Sequence, residues 1–379
     1  MKQIVVDYKI PWLYPQAGIA GFFRPLLEAM VERHPELEFI VVAPGPFARL
    51  CPDRPNCKAM FLGDFSALSR FEYLRYSLIT FPAFVAQSGA DLLLCPYYDF
   101  LTPENFRGKT LLTVHDLCFL DIPARYPFWT RWLHRWLLNY NLPRAGGVIT
   151  VSDFSRSRLM AHFPALLSGR EPQVVYNTFA PRRETADEAG LKALTGKLGL
   201  PPGERVVLYT GGIDARKNLT GLFSGFAELL RSTPALLLIT GGTAGASALR
   251  NLVRRYGLEG RVIFTGPLDA DEMRLLYRRI ADCGISVSLY EGFGRGAIES
   301  KLHALPFVSS SLPVVREMVG EYPLYCDQQS PADIGAKLRQ ALAAPRGAAE
   351  TDIDERFSLL RNANLLSDLI DRTLSDDRK

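Results

Sequence analysis

Short runs of apolar residues alternate along this chain with longer stretches in which apolar residues recur every three or four positions. The short runs predict β-strands, and the longer stretches predict amphipathic helices. The predicted strands are residues 3–7, 38–43, 91–95, 110–114, 147–151, 173–176, 206–210, 236–240, 262–264 and 285–289. Because strands and helices alternate, the sequence predicts mostly parallel sheets covered by helices, which is an α/β fold.

A charged segment at residues 181–203 divides this pattern into two series. Glycines and a pair of adjacent prolines interrupt the segment, and such residues favour loops over regular structure. A chain of 379 residues is long enough for two α/β domains of ordinary size. We therefore predict a first domain at residues 1–180, a second at 181–355, and a C-terminal helical segment at 356–379. The last predicted helices are residues 332–343 and 355–374.

The most informative stretch lies between Cys283 and Lys301, where a strand pattern changes into a helix pattern. The turn between them consists of Glu291, Gly292, Phe293 and Gly294. A helix is expected to begin near Arg295, and its free amide groups favour an anion such as phosphate. Glu291 and Glu299 bracket the turn, and carboxylates beside a phosphate site suit the hydroxyl groups of a sugar. The alternative is an ordinary strand, turn and helix of a Rossmann-like domain.

A second candidate anion site follows the predicted strand at residues 206–210. Its residues are Gly211, Gly212, Arg216, Lys217 and Asn218, ahead of a predicted helix. Two adjacent cations at a helix N-terminus are unfavourable against the helix dipole unless an anion is present, so a diphosphate is the expected ligand. Arginine offers a planar pair of donors and lysine a point charge, which together suit a leaving nucleoside diphosphate. A solvated basic loop is the alternative.

Two weaker signals lie in the first half of the chain. Gly18 and Gly21 fall in a predicted connection between the first strand and a helix, and such glycine turns bind ligands only in some contexts. His115 follows the strand at residues 110–114, at the edge where open α/β sheets hold ligands. The alternative is that His115 caps the strand or binds its neighbour Asp116.

Composition and charge exclude several classes of protein. Charged residues make up 22% and hydrophobic residues 47% of the chain, so neither a disordered protein nor a membrane bundle is expected. The net charge of +4 is too small to indicate nucleic-acid binding, although it suits an acidic donor or an anionic membrane face. The apolar run near the N-terminus ends at Asp7 and is too short for a signal peptide. No apolar run in the chain reaches the ~18 residues that a membrane span requires. We therefore expect a cytoplasmic protein.

No metal site is expected from the spacing of cysteines and acidic residues. The six cysteines form no Cys-x-x-Cys pair and are expected to be reduced and packed; they are Cys51, Cys57, Cys95, Cys118, Cys283 and Cys326. Asp269 and Asp271 form an Asp-x-Asp sequence, but apolar residues at helical spacing follow them. This context favours helix capping over metal binding.

Residues 127–143 predict a basic amphipathic helix with three tryptophans. Its aromatic residues are Phe128, Trp129, Trp132, Trp136 and Tyr140, with Arg131 and Arg135 between them. A helix of this composition can rest on a membrane surface on the cytoplasmic side. The ordinary interpretation, in which the aromatic face packs on the sheet, is favoured here.

Three of these motifs together resemble a known family. Glu291-Gly-Phe-Gly followed by Glu299 is similar to the Glu-x7-Glu signature of retaining nucleotide-sugar glycosyltransferases of family 4. The segment from Gly211 to Asn218 resembles the Gly-x4-Arg-Lys-Asn element of that family, and His115-Asp-Leu resembles its histidine segment. The resemblance implies a GT-B fold, with two Rossmann-like doubly wound domains facing a cleft and a last helix that crosses back to the first domain.

The resemblance also implies roles for individual residues. Arg216 and Lys217 would bind the donor pyrophosphate, Glu291 the sugar hydroxyls, and Glu299 the ribose. His115 would reach the sugar from the first domain. Glycines and strand ends would complete the donor site; these residues are Gly18, Gly21, Gly211, Gly212, Asn218, Gly266, Leu268, Gly292, Phe293 and Gly294. The chain departs from many relatives in having Gly211-Gly212 where they have Gly-Arg, so Arg216 must supply that charge.

By resemblance, the expected activity is retaining, metal-independent transfer of a hexose. GDP-mannose is the preferred donor, followed by UDP-glucose and UDP-N-acetylglucosamine. The expected acceptor is a glycan or lipid-linked oligosaccharide of bacterial surface polysaccharide assembly. Alternatives are a phosphorylase, an epimerase, or a non-catalytic protein that binds nucleotide sugars. A Rossmann oxidoreductase is disfavoured because Gly-x-Gly-x-x-Gly does not follow the first strand.

Overall fold

The computed structural model describes residues 1–14, 18–46, 52–167, 169–179, 187–241, 246–347 and 354–375. The chain folds into two compact units. The first comprises Met1–Pro123, Pro127–Ala180 and Asp354–Lys379, and the second comprises Ala124–Tyr126 and Pro181–Ile353. Two positions of the sequence predictions, the domain boundary at Pro181 and the thiol of Cys51, lie outside the described residues.

The first unit contains a parallel sheet of seven strands. They are β1 (Lys2–Asp7), β2 (Leu37–Ala43), β3 (Cys57–Phe61), β4 (Leu92–Cys95), β5 (Lys109–Val114), β6 (Gly147–Thr150) and β7 (Gln173–Val174). Their order is β3-β2-β1-β4-β5-β6-β7, so the direction of winding reverses between β1 and β4. The sequence predictions did not include the edge strand β3, whose side chains are mostly exposed. Cys57 in β3 forms a disulfide, so the expectation of a reduced thiol is wrong there.

Among the described residues, eight α-helices of the first unit lie before residue 170. They are α1 (Lys9–Leu13), α2 (Gly18–Arg33), α3 (Arg70–Arg75), α4 (Phe81–Ser88), α5 (Cys118–Asp121), α6 (Phe128–Asn141), α7 (Asp153–His162) and α8 (Pro164–Leu167). A π-helical turn at Tyr76–Thr80 joins α3 to α4. Gly18 and Gly21 lie in the first turns of α2, so the prediction that they form a connecting turn is wrong.

Helix α6 contradicts the prediction that its aromatic face packs on the sheet. The buried residues of α6 are Leu137, Leu138 and Asn141, all near its C-terminal end. The aromatic residues toward its N-terminal end are exposed; these are Phe128, Trp129, Trp132 and Trp136. None of the helices in the described ranges is long and apolar enough to cross a bilayer.

The second unit contains a parallel sheet of six strands. They are β8 (Val206–Thr210), β9 (Leu236–Thr240), β10 (Val262–Gly266), β11 (Cys283–Ser286), β12 (Phe307–Ser310) and β13 (Leu324–Cys326). Their order is β10-β9-β8-β11-β12-β13, so the winding reverses between β8 and β11. Strand β11 ends three residues earlier than the strand predicted at residues 285–289.

Helices cover both faces of this second sheet. They are α9 (Glu188–Leu198), α10 (Leu219–Leu230), α11 (Ala246–Arg255), α12 (Ala270–Leu275), α13 (Arg295–Leu302), α14 (Pro313–Val319) and α15 (Pro331–Ala343). Val207 and Tyr209 of β8 belong to the apolar core on one face, whereas Val206 and Leu208 belong to the core on the other. Alternate burial on both faces explains why the strand is apolar throughout.

The last helix, α16 (Leu359–Ser375), packs on the first unit. The Nε2 atom of His34 lies 2.7 Å from the hydroxyl of Ser367, and the amide of Tyr176 donates to the Oδ1 atom of Asn362 at 2.7 Å. The expected return of this helix to the first domain is therefore confirmed. A 3₁₀ turn at Glu355–Phe357 precedes α16, so the helix predicted from residue 355 is interrupted.

Helices α10 and α15 approach closely because two glycines lie where they cross. A Cβ atom at Gly225 would come within 2.2 Å of the Cγ2 atom of Ile334, and one at Gly335 within 2.8 Å of the Cβ atom of Glu228. We expect Gly225→Ala to lower the free energy of unfolding of the second unit by about 2 kcal/mol, because the helices must separate. Gly196→Ala in α9 is the matched control, since nothing lies within 4 Å of its Cβ position.

In the control, alanine should raise the stability slightly, because it is the better helix former by about 0.5–1 kcal/mol. Urea denaturation of the two variants measures both effects. Equal changes in the two variants would mean that close packing of α10 on α15 does not require glycine.

Candidate active site

The candidate site of the second unit lies where the sheet reverses its winding. The loop after β8 carries Arg216 and Lys217, and the loop after β11 carries Glu291. The amide of Leu289 donates to the carbonyl of Arg216 at 2.7 Å, so the two loops are joined directly. Ligands of open α/β sheets bind at such a reversal, outside the carboxyl ends of the strands. The structure thus brings together residues that are 74 and 75 positions apart.

Glu291 is the centre of an ion-pair cluster. Its Oε1 atom lies 2.6 Å from the Nζ atom of Lys217, and its Oε2 atom lies 2.9 Å from the Nη1 atom of Arg216. The hydroxyl of Ser288 donates to Oε1 at 2.7 Å. The Glu291 side chain is only 9% exposed, so these contacts are largely shielded from solvent.

The charge of Glu291 follows from this environment. Burial alone would raise the pKa of its carboxyl group, but the nearby Lys217 and Arg216 cations outweigh burial and lower that pKa to about 2. The group is therefore ionised at neutral pH. An ionised carboxylate can accept hydrogen bonds and stabilise positive charge, but it cannot donate a proton as a general acid.

The loop after β8 is held in place by its own polar side chains. Asp214 accepts a hydrogen bond from the amide of Arg216 at 3.0 Å and pairs with the Nε atom of the same residue at 3.3 Å. Asn218 has a positive φ of 52° and caps α10, and its Nδ2 atom donates to the carbonyls of Val287 and Gln328. The Asn218 side chain thus fixes the loop that presents Arg216 and Lys217.

The two glycines at the start of this loop contact the end of β8. The hydroxyl of Tyr209 donates to the carbonyl of Gly212 at 2.7 Å. A Cβ atom at Gly211 would lie 3.1 Å from the same hydroxyl, which leaves little room for a side chain. Packing of the loop therefore explains Gly211, whereas a Cβ atom at Gly212 would make only an ordinary contact with Asp214 at 3.6 Å.

The turn after β11 leads into α13 as the sequence predicts. The helix begins at Arg295, and Gly294 precedes it with a φ of 88°, a conformation that favours glycine. Gly294 provides no side-chain cap, and Gly292 and Phe293 are buried. The amide end of α13 can therefore accept an anion close to the cations of the neighbouring loop.

Glu299 lies one turn into α13 and is held by two partners. The hydroxyl of Tyr277 donates to its Oε2 atom at 2.8 Å, and the Nη2 atom of Arg295 lies 3.2 Å from its Oε1 atom. The Tyr277 hydroxyl also lies 2.9 Å from that of Thr210, which ends β8. Each carboxylate oxygen accepts more than one hydrogen bond, so Glu299 retains capacity for ribose hydroxyls.

Gly266 and Leu268 lie farther from the reversal point. Gly266 ends β10, which is two strands from β8, and its carbonyl accepts a hydrogen bond from the amide of Gly241 at 3.3 Å. Leu268 is half-buried against the apolar core that contains Leu275 and Leu276. These two residues therefore lie farther from the winding reversal, where a ligand is expected, than the loops after β8 and β11.

His115 of the first unit is a neutral side chain. Its Nε2 atom lies 2.8 Å from the carbonyl oxygen of Pro96, so this nitrogen carries the proton. Burial lowers the pKa of its ring to about 4. The ring of Phe22 in α2 packs edge-on against it at 5.3 Å between centroids. Asp116, the partner considered from sequence, instead accepts a hydrogen bond from the amide of Cys118. Because Nε2 carries the proton, the Nδ1 atom of His115 is the acceptor of the neutral ring.

The winding reversal of the first sheet holds a buried charge cluster. Asp7 ends β1, and Lys9 follows it in α1 with its Nζ atom 3.0 Å from the Oδ1 atom of Asp99. The amide of Lys9 donates to Asp7 at 3.0 Å, and its ammonium group lies 4.6 Å from the centre of the Tyr73 ring. Burial raises the pKa of Asp7 to about 6. Sequence analysis did not find this cluster, because its members lie in three separate segments.

Acidic residues of the second unit cap helices. The carboxylate of Asp269 accepts from the amides of Asp271 and Glu272, and Glu272 accepts from the amide of Asp269 in return. The capping interpretation of this Asp-x-Asp sequence is therefore confirmed. Within the described ranges, no three His, Cys, Asp or Glu residues come together as a potential metal site.

Comparison with known proteins identifies the second half of the chain. Residues 192–356 match the model of the family described as glycosyl transferases group 1. The chain contains a glycosyltransferase group 1 domain. The Glu291 cluster, the loop after β8 and the start of α13 all lie inside this group 1 domain.

A curated relative and two solved structures agree with this assignment. O-antigen chain mannosyltransferase B of Escherichia coli is 28% identical over 250 residues, which span 64% of this chain and 64% of that enzyme. Sucrose-phosphate synthase of Thermosynechococcus elongatus has a TM-score of 0.76 at 21% identity, covering 98% of this chain and 99% of its own. Anabaena HepE in complex with UDP-glucose has a TM-score of 0.67 at 16% identity, covering 98% and 100%.

The structural matches extend beyond the group 1 domain to nearly the whole chain. Together with the two parallel sheets, they confirm the expected GT-B fold and the resemblance to GT-B glycosyltransferases. The relative from E. coli is aligned over less than two thirds of its own length.

Three polar residues of the group 1 domain escaped the sequence analysis. Ser288 donates a hydrogen bond to Glu291, three positions later, and Asp214 accepts one from the amide of Arg216, two positions later. Both contacts are between near neighbours in the sequence, so a local sequence pattern could have predicted them. Tyr277 lies 22 residues before Glu299 in a π-helical turn at Leu276–Ile280, and no local pattern predicts that contact.

Proposed function

We propose that this protein is a retaining hexosyltransferase that moves a sugar from a nucleotide donor to a glycan or lipid-linked glycan. The observation that carries this proposal is the cluster of Glu291 with Arg216 and Lys217 at the winding reversal, beside the N-terminus of α13. It combines cations for a diphosphate with a carboxylate for sugar hydroxyls. The second unit would bind the donor, and the first would bind the acceptor.

The leaving diphosphate would be bound by Arg216, Lys217 and the first amides of α13. As the bond to the anomeric carbon breaks, negative charge grows on the phosphate oxygens, and donors fixed in advance stabilise that charge. Glu291 would accept hydrogen bonds from the sugar ring and oppose the positive charge that develops there. Neutral His115 carries no charge that could bind a phosphate, so its proposed role is a hydrogen bond to the sugar.

Retention of the anomeric configuration would proceed on one face of the sugar. The strong pairing of Glu291 with two cations makes it a weak nucleophile, which argues against the covalent intermediate of retaining hydrolases. In our proposal the leaving phosphate instead takes the proton of the acceptor hydroxyl. Glu299 is assigned to the ribose and takes no part in bond making.

GDP-mannose is the donor that we propose, for bacterial surface polysaccharide assembly. The name of the E. coli relative and the resemblance of the Arg216 and His115 segments to bacterial mannosyltransferases support this choice. The Anabaena structure with UDP-glucose supports a UDP-sugar as the second candidate.

A thermal-shift panel of GDP, UDP, ADP and dTDP tests the donor. A ligand present at 100 times its Kd stabilises the folded state by about 2.7 kcal/mol, which raises the melting temperature by several degrees. We expect GDP to give the largest rise. A larger rise with UDP would reassign the base, and no rise with any of the four would contradict the proposed site.

Transfer is expected to continue without a divalent metal ion, because Arg216 and Lys217 already supply the positive charge. The test is to assay hexose transfer after dialysis against EDTA and again after adding Mg²⁺ or Mn²⁺. An unchanged rate agrees with the proposal. A loss that either ion restores would require a metal at the diphosphate. Release of free sugar, or turnover that needs inorganic phosphate, would favour an epimerase or a phosphorylase.

A further inference from the structure

Helix α6 presents an aromatic surface to solvent, which we call the α6 aromatic face. It consists of Phe128, Trp129, Trp132 and Trp136, which are 64%, 74%, 53% and 37% exposed. The rings of Trp132 and Trp136 stack with centroids 6.1 Å apart and an interplanar angle of 5°. Large contiguous aromatic surfaces that face solvent usually mark a binding surface.

The opposite side of α6 attaches the helix to the first unit. Leu137 and Leu138 are buried there, and the Nδ2 atom of Asn141 donates to the carbonyl of Phe100 at 2.7 Å. At about 100° per residue, these positions lie roughly opposite the centre of the α6 aromatic face. The helix therefore has two apolar sides. The side with Leu137 and Leu138 packs on the first unit, and the α6 aromatic face is exposed to solvent.

The sequence on either side of this face carries charges of one sign. From residue 122 to residue 152 the sequence contains no Asp or Glu, and Arg131 and Arg135 lie within α6 itself. Tryptophan rings prefer the boundary between water and lipid headgroups, and arginines beside them attract anionic headgroups. The alternative is a protein partner with an apolar pocket. Such a partner would not explain why 31 consecutive positions contain no acidic residue, whereas an anionic membrane surface would.

We propose that the α6 aromatic face binds the surface of a membrane that contains anionic lipid. The helix lies in the plane of the interface, its aromatic rings enter the headgroup layer, and Arg131 and Arg135 contact lipid phosphates. Phe128 and Trp129 are the most exposed residues of the face and enter deepest. This inference stands independently of the donor and of the reaction proposed above.

The test is flotation of the full-length protein with vesicles, in the absence of any sugar donor. Vesicles of phosphatidylcholine alone are compared with vesicles that also contain phosphatidylglycerol. The wild type is expected to float with the second kind and to show a blue shift of tryptophan emission. Trp12 is only 6% exposed and remains a constant background in this measurement.

Three variants separate the aromatic and charge contributions. Trp129→Ala with Trp132→Ala should lower the partition coefficient more than tenfold. Arg131→Gln and Arg135→Gln should each lower it roughly fivefold on phosphatidylglycerol vesicles and have no effect on phosphatidylcholine alone. Leu360→Ala on α16 is the control, because that side chain is 66% exposed and lies outside the face. All replaced side chains are exposed or at the surface, so circular dichroism should match the wild type.

Three outcomes would overturn the proposal. The first is a wild type that fails to float with phosphatidylglycerol vesicles. The second is equal flotation of the tryptophan variant and the wild type. The third is found by sedimentation velocity: a wild-type oligomer that dissociates in the tryptophan variant, without vesicle binding, would identify the face as a contact between copies of the chain.

Discussion

Replacing Glu291 by glutamine is expected to slow sugar transfer by about a hundredfold while tightening the binding of a nucleoside diphosphate. The slower transfer follows from losing a fixed negative charge beside the developing positive charge of the sugar. The tighter binding follows because Glu291 pairs with Arg216 and Lys217 and so competes with a diphosphate for them. Glutamine leaves both cations available, and an increase of about tenfold in affinity would correspond to about 1.4 kcal/mol.

Transfer assays and calorimetric titration with GDP or UDP measure the two effects separately. Glu321→Gln is the control, because Glu321 is exposed and pairs with Arg316 at the surface of the same unit. It should change neither quantity. If Glu291→Gln weakened diphosphate binding in parallel with turnover, Glu291 would instead be holding the two cations in their binding positions.

Asp99→Asn and Asp7→Asn are expected to change the stability of the first unit in opposite directions. Lys9 is fully buried with Asp99 as its ion-pair partner, and removing one member of a buried pair typically costs about 3–5 kcal/mol. Asp99→Asn should therefore be strongly destabilising at neutral pH. Asp7 is different, because burial disfavours its ionised form and raises its pKa to about 6.

The pH dependence of the Asp7→Asn effect has a defined sign. A raised pKa means that protonated Asp7 favours folding below the ordinary value of 3.8, and this contribution is lost as pH rises from 3.8 through 6. Asparagine resembles the protonated form at every pH. Asp7→Asn should therefore be nearly neutral at pH 4 and more stable than the wild type by about 3 kcal/mol at pH 7.5.

Urea denaturation of both variants at these two pH values measures the difference. A stability gain of Asp7→Asn that is the same at pH 4 and pH 7.5 would mean that ionisation of Asp7 is not its cause. Destabilisation by Asp7→Asn at pH 7.5 would show that the carboxylate is a net favourable partner of Lys9.

Local patterns account for much of the architecture. Strand β8 has the predicted bounds because Val206 to Tyr209 are apolar on both faces, and α13 begins at Arg295 because the preceding glycine ends the turn. Strand β11 ends before the strand predicted at residues 285–289, because its pairing with β12 ends at Ser286. Beyond that point the carbonyl of Val287 accepts a hydrogen bond from Asn218 instead of joining the sheet.

Long-range contacts explain what sequence analysis could not predict about the site. Arg216, Lys217 and Glu291 were each predicted as ligand-binding residues, but nothing in the local sequence indicates that they bind one another. The outward direction of the α6 tryptophans was likewise unpredictable. Helical spacing places them on one side, but it does not decide which side of an apolar helix the sheet will cover.

The mutual pairing of charges after β8 and β11 has a consequence for selectivity. Arg216 and Lys217 are balanced by Asp214 and Glu291, so these four side chains together carry no net charge. A small inorganic anion would have to compete with carboxylates already in place and would offer nothing to those carboxylates in return. An intact nucleotide sugar brings both phosphate oxygens and hydroxyl groups, and we expect this site to select it over the inorganic phosphate of the cell.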